Sequence, residues 1–125
     1  MSNISHIDPP LLPSFTLSIT PPSSIAMGGT IAIADPGLVL GGCFRRLHEA
    51  ALADGLSELS VDVRQLTFVN SSAIRLFVDW ASWVATAGAK GYLLRFRTDR
   101  RITWQRTSFA VLQSLGGKAI ALSAE

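Results

Sequence analysis

The spacing of hydrophobic residues along the chain switches repeatedly between a period of two and a period of about 3.6, which are the periods of strands and helices. Alternating apolar and polar positions predict five strands, at 15–20, 25–34, 57–63, 90–97 and 119–122. Helical spacing predicts three helices, at 35–54, from 71 or 72 to 87, and at 101–115. Proline and glycine stand where these helices begin and end. The predicted order is therefore β-β-α-β-α-β-α-β.

Strands that alternate with helices are joined by right-handed crossovers and form a mostly parallel sheet. The first two strands are predicted to form a hairpin, which adds an antiparallel strand at the edge, and Gly28-Gly29 indicates a bulge. We therefore predict an α/β fold with a mixed, mostly parallel sheet, an N-terminal hairpin and three helices. Residues 1–13 are rich in proline and are predicted to be a mobile tail, and 14–125 to be a single domain.

The same spacing predicts the buried side of each helix. In the first helix, the apolar stripe consists of Leu38, Leu40, Phe44, Leu47, Ala51 and Leu52. In the third helix, one face carries Trp104, Ser108, Val111, Leu112 and Leu115. In the second helix, Leu76, Trp80 and Trp83 widen an apolar arc centred on Ala73, Phe77, Ala81 and Val84. Either a neighbouring element covers the extra arc, or Leu76 and Trp83 contact a partner or a second copy of the chain.

Composition narrows the range of functions. The 125 residues are 48% hydrophobic and 16% charged, and the formal net charge of +2 argues against strong non-specific binding to nucleic acid. Cys43 is the only cysteine, so we expect neither an intrachain disulfide nor a cysteine metal site. The sequence contains no apolar run of membrane-spanning length and no secretory signal pattern. We expect a cytoplasmic protein that binds neither membrane nor nucleic acid.

The change of period at Asn70-Ser71-Ser72 predicts a strand that ends where a helix begins. The first N–H groups of a helix lack backbone partners and carry a partial positive charge, so a phosphate is favoured there. Two adjacent hydroxyls at this position could therefore act as a phosphorylation switch. The simpler interpretation is that Ser71 or Ser72 only caps the helix.

The residues around this junction resemble the signature of the STAS domains of anti-anti-sigma factors, also called anti-sigma factor antagonists. That signature is an aspartate in a strand, followed after a few residues by Asp-Ser-Ser-Gly-Leu at the start of a helix. Here Asp62 matches the strand aspartate, and Asn-Ser-Ser-Ala-Ile at 70–74 matches the remainder. The resemblance extends over 16–122, with Asn70 in place of an acidic residue and Ala73 in place of glycine.

The resemblance implies a STAS-like fold for the predicted α/β domain and a regulatory protein in a bacterial partner-switching circuit. The unphosphorylated chain would bind a kinase-type anti-sigma factor or an analogous regulator, phosphorylation would end the binding, and a phosphatase would restore it. In the family the first serine of the pair is the phosphoacceptor, which here is Ser71, and Ser72 is the second candidate. The strand aspartate of the family, here Asp62, lies near the phosphorylation loop. ATP and magnesium would belong to the kinase, so this chain itself is expected to hold no cofactor. The candidate partner-binding residues are Asp62, Asn70, Ser71, Ser72, Ala73, Leu76 and Trp83.

Enzymatic activity is not expected, because neither His6 nor His48 has a catalytic partner in the sequence and no cluster of residues has metal-ligand spacing. Two other functions stay open. One is a STAS-like scaffold or assembly protein, possibly a homodimer, that is never phosphorylated, which Asn70 and Ala73 favour. The other is a sensor of a nucleotide or another small ligand, which would use the arginine-rich stretch 95–106.

Overall fold

The computed structural model describes residues 3–125, so Met1 and Ser2, the first residues of the predicted tail, lie outside the described residues. The five strands are β1 Phe15–Thr20, β2 Ser24–Ile31, β3 Glu58–Val69, β4 Leu93–Thr98 and β5 Ile120–Ala124. The three α-helices are α1 Gly42–Ala53, α2 Ser71–Ala87 and α3 Thr103–Gly116. A π-helical turn, Gly37–Gly41, precedes α1, and 3-10 turns lie at Ile4–His6, Gly88–Lys90 and Gly117–Ala119.

The strands are ordered β1-β2-β3-β4-β5 across one sheet, with β1 antiparallel to β2 and the other neighbours parallel. Each helix connects two neighbouring parallel strands, and right-handed crossovers therefore place all three helices on the same face of the sheet. α2 lies in the middle of this layer and packs against both α1 and α3. The arrangement confirms the predicted fold class, including the N-terminal hairpin.

Alternation along the strands separates a covered face of the sheet from an open one. Leu59, Val61 and Val63 of β3 are buried beneath the helices. The residues between them are only partly buried and point to the opposite face. Aromatic rings from the sheet and from all three helices fill the middle of the core: Phe44, Phe77, Trp80, Phe96 and Phe109.

β3 is longer than predicted and continues to Val69. Its pairing with β4 ends at Asp62 and Arg97, so the second half of β3 is paired only on its β2 side. Register shifts between β2 and β3 occur on both sides of Gly28 and Gly29, so the irregularity lies at the predicted level, but the extra residues belong to β3 and not to the glycine-bearing strand. Gly29 has a φ of +89°, a conformation that residues with a Cβ rarely adopt. The half of β3 without a β4 partner leads directly into α2.

The start of the first helix differs from the prediction. Asp35 accepts a hydrogen bond from the backbone N–H of Gly37 at 3.3 Å, and the chain then forms the π-helical turn. The wider π turn changes the angular position of its residues relative to an α-helix. As a result Leu38 is 86% exposed, and its assignment to the buried stripe is wrong. Leu52, at the other end of the predicted stripe, is also exposed.

α3 begins at Thr103, and its buried face is rotated from the predicted one. The predicted face included Val111 and Leu115, which are 51% and 57% exposed. The observed buried positions are Gln105, Phe109, Leu112 and Gly116. The prediction is correct for Leu112 and wrong for Val111 and Leu115, because the polar Gln105 occupies a fully buried position that hydrophobic spacing does not indicate.

The segment before β1 is anchored by a buried contact near its beginning. Ile4 is fully buried, and its backbone N–H donates to Asp54 Oδ2 at 3.0 Å. Asn3 donates from its backbone N and from Nδ2 to Asp54 Oδ1, at 2.7 and 2.8 Å. The division into a mobile tail, 1–13, and a domain, 14–125, stays a prediction, and no sequence pattern indicates the contact of Ile4.

Candidate functional site

The start of α2 is capped by Asn70. Asn70 Oδ1 accepts a hydrogen bond from the backbone N–H of Ala73 at 2.9 Å, which is the usual N-cap geometry. Its Nδ2 donates to the carbonyl of Ile33 at 2.8 Å, and its backbone N–H donates to the carbonyl of Ile31 at 2.9 Å. Asn70 therefore joins the end of β2 to the start of α2. The simpler interpretation of the serines as caps is wrong, because Asn70 occupies the capping position.

Ser71 and Ser72 occupy the first turn of α2 and are both exposed. Neither hydroxyl hydrogen-bonds to another residue in the described part of the chain. The N–H groups of Ala73 and Ile74 are bonded to Asn70, whereas those of Ser71 and Ser72 belong to the orphan donors of a helix start. The first turn therefore offers two free hydroxyls beside two unpaired backbone donors.

Exposed apolar side chains lie on two segments near the start of α2: Leu38 and Val39 in the π-helical turn, and Phe68 in β3. A Cβ on Gly41 would lie 3.3 Å from Cδ2 of Leu76, so the π-helical turn touches α2 at that level. Leu38 and Ser72 both precede this contact, near the beginnings of two neighbouring helical segments. This apolar rim is not apparent from the sequence, because the spacing at Leu38 and at Phe68 is typical of buried residues.

Asp62 lies on the open face of the sheet, away from the serines. Its carboxylate accepts hydrogen bonds from Arg64 Nε at 3.0 Å and Nη2 at 2.8 Å, and Arg97 Nη1 is 3.7 Å away. The Arg64 hydrogen bonds hold the pKa of the Asp62 carboxyl below its usual value, although partial burial opposes this. Asn70 lies eight positions further along the chain, a span of roughly 25 Å along the strand. The structure therefore does not bring Asp62 together with Ser71.

Leu76 and Trp83 lie on the side of α2 that faces α1, and both are half-buried. The guanidinium of Arg45 lies 4.8 Å from the centroid of the Trp83 ring, in cation–π contact, and the His48 ring is 5.8 Å away. A shallow groove beside Trp83 is completed by Leu52 and Thr86. α1 thus covers part of the extra apolar arc of α2. A contact between a partner and the exposed edge of Leu76 and Trp83 stays a prediction.

α3 holds the half of β3 that leads to the serines. Gln105 Nε2 donates to the carbonyls of Val63 at 2.7 Å and Leu66 at 2.8 Å. Trp104 Nε1 donates to the carbonyl of Thr67 at 2.9 Å. These side chains occupy the edge where β4 no longer pairs with β3. They fix the path of the chain into α2, a role that no local sequence pattern indicates.

The arginine-rich stretch 95–106 is largely paired with carboxylates. Arg95 binds Glu58 with both Nε and Nη2, at 3.2 and 3.3 Å, and Arg97 binds Glu125 at 2.7 and 3.0 Å. Arg101 forms a comparable pair with Asp99. Three of the five guanidinium groups in this stretch are thus engaged in ion pairs on the sheet face and in the following loop. Among the described residues, Arg100 and Arg106 form no ion pair, and Arg100 Nη2 donates to the carbonyl of Ala124 at 3.4 Å.

The remaining reactive side chains are buried. His48 Nδ1 lies 2.9 Å from the hydroxyl of Tyr92, and burial lowers the pKa of its imidazole. Burial also raises the pKa of the Cys43 thiol, which makes a nucleophilic thiolate unfavourable. Within residues 3–125, no three His, Cys, Asp or Glu side chains are grouped as a metal site. None of the described helices has both the length and the apolar character needed to cross a membrane.

Comparison with known proteins relates the fold to two solved structures. The first is the crystal structure of the diguanylate cyclase SiaD in complex with its activator SiaC, from Pseudomonas aeruginosa. One chain of that structure superposes on the present chain with a TM-score of 0.65 and 23% sequence identity. The match covers 88% of this chain and 93% of that one. The structure of SiaC of Pseudomonas aeruginosa superposes with a TM-score of 0.62 at 23% identity, over 82% and 83% of the two chains. No family model matches the sequence, and no curated protein matches it significantly. At this identity the likeness concerns the fold.

Proposed function

We propose that this chain is a regulatory protein-binding module of bacterial signalling, cytoplasmic and without enzymatic activity of its own. The observation that carries the proposal is the start of α2, where Ser71 and Ser72 are exposed and unbonded because Asn70 supplies the cap. The apolar side chains of Leu38 and Phe68 beside them offer contact area for a protein. The likeness to SiaC adds support, because SiaC is described as the activator of a diguanylate cyclase and is found in complex with it.

Phosphorylation of Ser71 is the proposed switch, with Ser72 as the second candidate acceptor. A phosphate would add about −1.5 to −2 charges at pH 7. The unpaired N–H groups and the positive end of the α2 dipole favour that charge, and the Asn70 cap stays in place, so the domain stays folded. A partner seated on Leu38 and Phe68 would meet a desolvated charge and dissociate.

The proposed partners follow from the same switch. A kinase-type anti-sigma factor or an analogous regulator would bind the unphosphorylated chain, and a phosphatase would restore binding after phosphorylation. ATP and magnesium would belong to the kinase. Asn70 and Ala73 place no acidic residue beside the serines, so the kinase would recognise a neutral loop.

The first test is mass spectrometry of the protein isolated from its native host. The tryptic peptide 65–75 carries Thr67, Ser71 and Ser72, so fragment ions must locate the phosphate. The proposal expects a phosphate on Ser71 that a phosphatase removes. A peptide that stays unmodified under every growth condition would contradict the switch and favour the constitutive scaffold.

The second test compares three variants in quantitative pull-downs from the host. Ser71→Asp should weaken capture of the partner at least tenfold, equivalent to about 1.4 kcal/mol, whereas Ser71→Ala should retain it. Ser82→Asp is the matched control, because Ser82 is an exposed serine of the same helix, remote from its start. Equal capture by all three variants would refute the switch.

The alternative of a nucleotide or small-ligand sensor has less support than the protein-binding module. Three of its five candidate cations, Arg95, Arg97 and Arg101, already bind carboxylates on the chain. At these three an anion would have to displace the internal partner, which leaves only Arg100 and Arg106 without a carboxylate among the described residues.

A further inference from the structure

β1 forms one edge of the sheet, and half of its backbone groups point away from β2. Thr30 N–H donates to the carbonyl of Ser14 at 2.8 Å, which fixes the phase of the antiparallel ladder. Hydrogen-bonded pairs alternate with non-bonded ones in such a ladder, so Phe15, Leu17 and Ile19 direct their N–H and C=O groups outward. The described part of the segment before β1 makes no backbone hydrogen bond to them.

β1 itself contains none of the charged residues, prolines or bulges with which proteins usually prevent edge-to-edge pairing. Residues 9–34 contain no charged side chain, and β1 pairs with β2 without a register shift. Edge strands commonly carry lysine, an inward charge or a bulge for protection. The other edge, β5, has Lys118 and Glu125 close to its ends.

The sequence of β1 is also self-complementary. Residues 16–20 read Thr-Leu-Ser-Ile-Thr, which is nearly symmetric about Ser18. In an antiparallel pairing centred there, Leu17 lies opposite Ile19 of a second copy, and both have outward backbone groups that can exchange hydrogen bonds. Thr16 lies opposite Thr20 on the open face, and threonine pairs of this kind stabilise antiparallel strands.

We propose that β1 is an interface for a second copy of this chain, and that two copies pair antiparallel about Ser18 to form one continuous sheet with both helical layers on the same side. The proposal is independent of the switch at Ser71, because β1 and the start of α2 are separate surfaces. It makes the chain a two-fold symmetric dimer that presents two copies of the serine site.

The test uses cysteine cross-linking of the full chain. Across the two-fold axis, Ser18 faces its own copy in a non-hydrogen-bonded pair, where Cα atoms are about 4.5 Å apart, a separation that a disulfide can span. With oxidised glutathione, Ser18→Cys should form a covalent dimer in which two thiols become one disulfide and glutathione is reduced. Ser24→Cys is the control, because Ser24 is equally exposed but lies on β2. Cys43 is buried and should not cross-link.

Sedimentation equilibrium provides the second measurement. The wild-type chain should approach twice its monomer mass of 13.4 kDa as concentration rises. Ser18→Lys should raise the dissociation constant of the dimer at least tenfold, because two ammonium groups would face each other across the axis. Ser24→Lys should leave this constant unchanged. A chain that stays monomeric up to millimolar concentration, or a dimer that Ser18→Lys does not weaken and Ser18→Cys does not trap, would overturn the proposal.

Discussion

Replacement of Gln105 should reveal how the strand before the serines is held. Its side chain is fully buried and makes three hydrogen bonds to backbone groups: Val63 O, Leu66 O and Asp99 N, at 2.7, 2.8 and 2.8 Å. The amide substitutes for a strand partner, since β4 no longer pairs with this part of β3. Gln105→Met removes all three bonds while it keeps the side-chain volume nearly constant.

The expected cost follows from the number of bonds. A typical hydrogen bond contributes about 1 kcal/mol, and a buried polar group left without a partner costs about 1–3 kcal/mol. Three bonds therefore predict that the free energy of unfolding falls by about 3 kcal/mol, out of about 5–15 kcal/mol for a domain of this kind. Urea unfolding followed by tryptophan fluorescence measures this change, and the variant should still fold.

Gln105→Glu provides the contrast. Glutamate can still accept from the N–H of Asp99, but as a carboxylate it cannot donate to the carbonyls of Val63 and Leu66. Burial and these carbonyls should raise its folded-state pKa, so the variant is most stable at low pH and loses stability as pH rises through that pKa. A change below about 0.5 kcal/mol in Gln105→Met would refute the reasoning, because the strand would then be held without the amide bonds.

Two further predictions concern contacts on either face of the sheet. Asp62→Asn should lower the free energy of unfolding by about 1 kcal/mol at neutral pH, because the Asp62 carboxylate is partly exposed and bonded to Arg64. Its pKa lies below the usual value of 3.8, so the stabilisation is present above pH 3.8 and is lost as pH falls through the folded-state pKa, where wild-type and variant unfolding curves should converge. Tyr92→Phe should lower the free energy of unfolding by about 2 kcal/mol, because Trp80 Nε1 and His48 Nδ1 each lose a hydrogen-bond partner at 2.9 Å. Thermal or urea unfolding measures this change. An unchanged midpoint would show that these two nitrogens find other hydrogen-bond partners.

The sequence was sufficient for the element order because each strand and helix carries its own periodic pattern. The predicted start of the second helix lies at the observed Ser71, and Ala73, Phe77, Ala81 and Val84 are buried as predicted. α2 follows its pattern because it packs in the middle of the helical layer, where its buried positions are occupied by apolar and aromatic residues. In such surroundings periodicity is a reliable guide.

The differences occur where a polar contact or a distant partner determines the structure. Gln105 is polar yet buried, since its amide bonds to backbone atoms about forty residues away in sequence, and it sets the orientation of α3. Ile4 is buried because Asp54 binds the backbone at that point. Hydrophobic periodicity counts residue types and contains no information about such partners. The same limitation explains why the exposed rim of Leu38 and Phe68 was missed.

Asn70 connects the departure from the resembled motif with the proposed mechanism. A carboxylate at this position could accept the hydrogen bond from Ala73, but it could not donate to the carbonyl of Ile33, as the Asn70 amide does at 2.8 Å. The amide therefore fixes both sides of the loop and adds no charge beside Ser71. A phosphate on Ser71 would then add negative charge to a segment, 70–74, that contains no carboxylate of its own. With a neutral cap, phosphorylation changes this segment from uncharged to negatively charged, which is the difference that a partner has to detect.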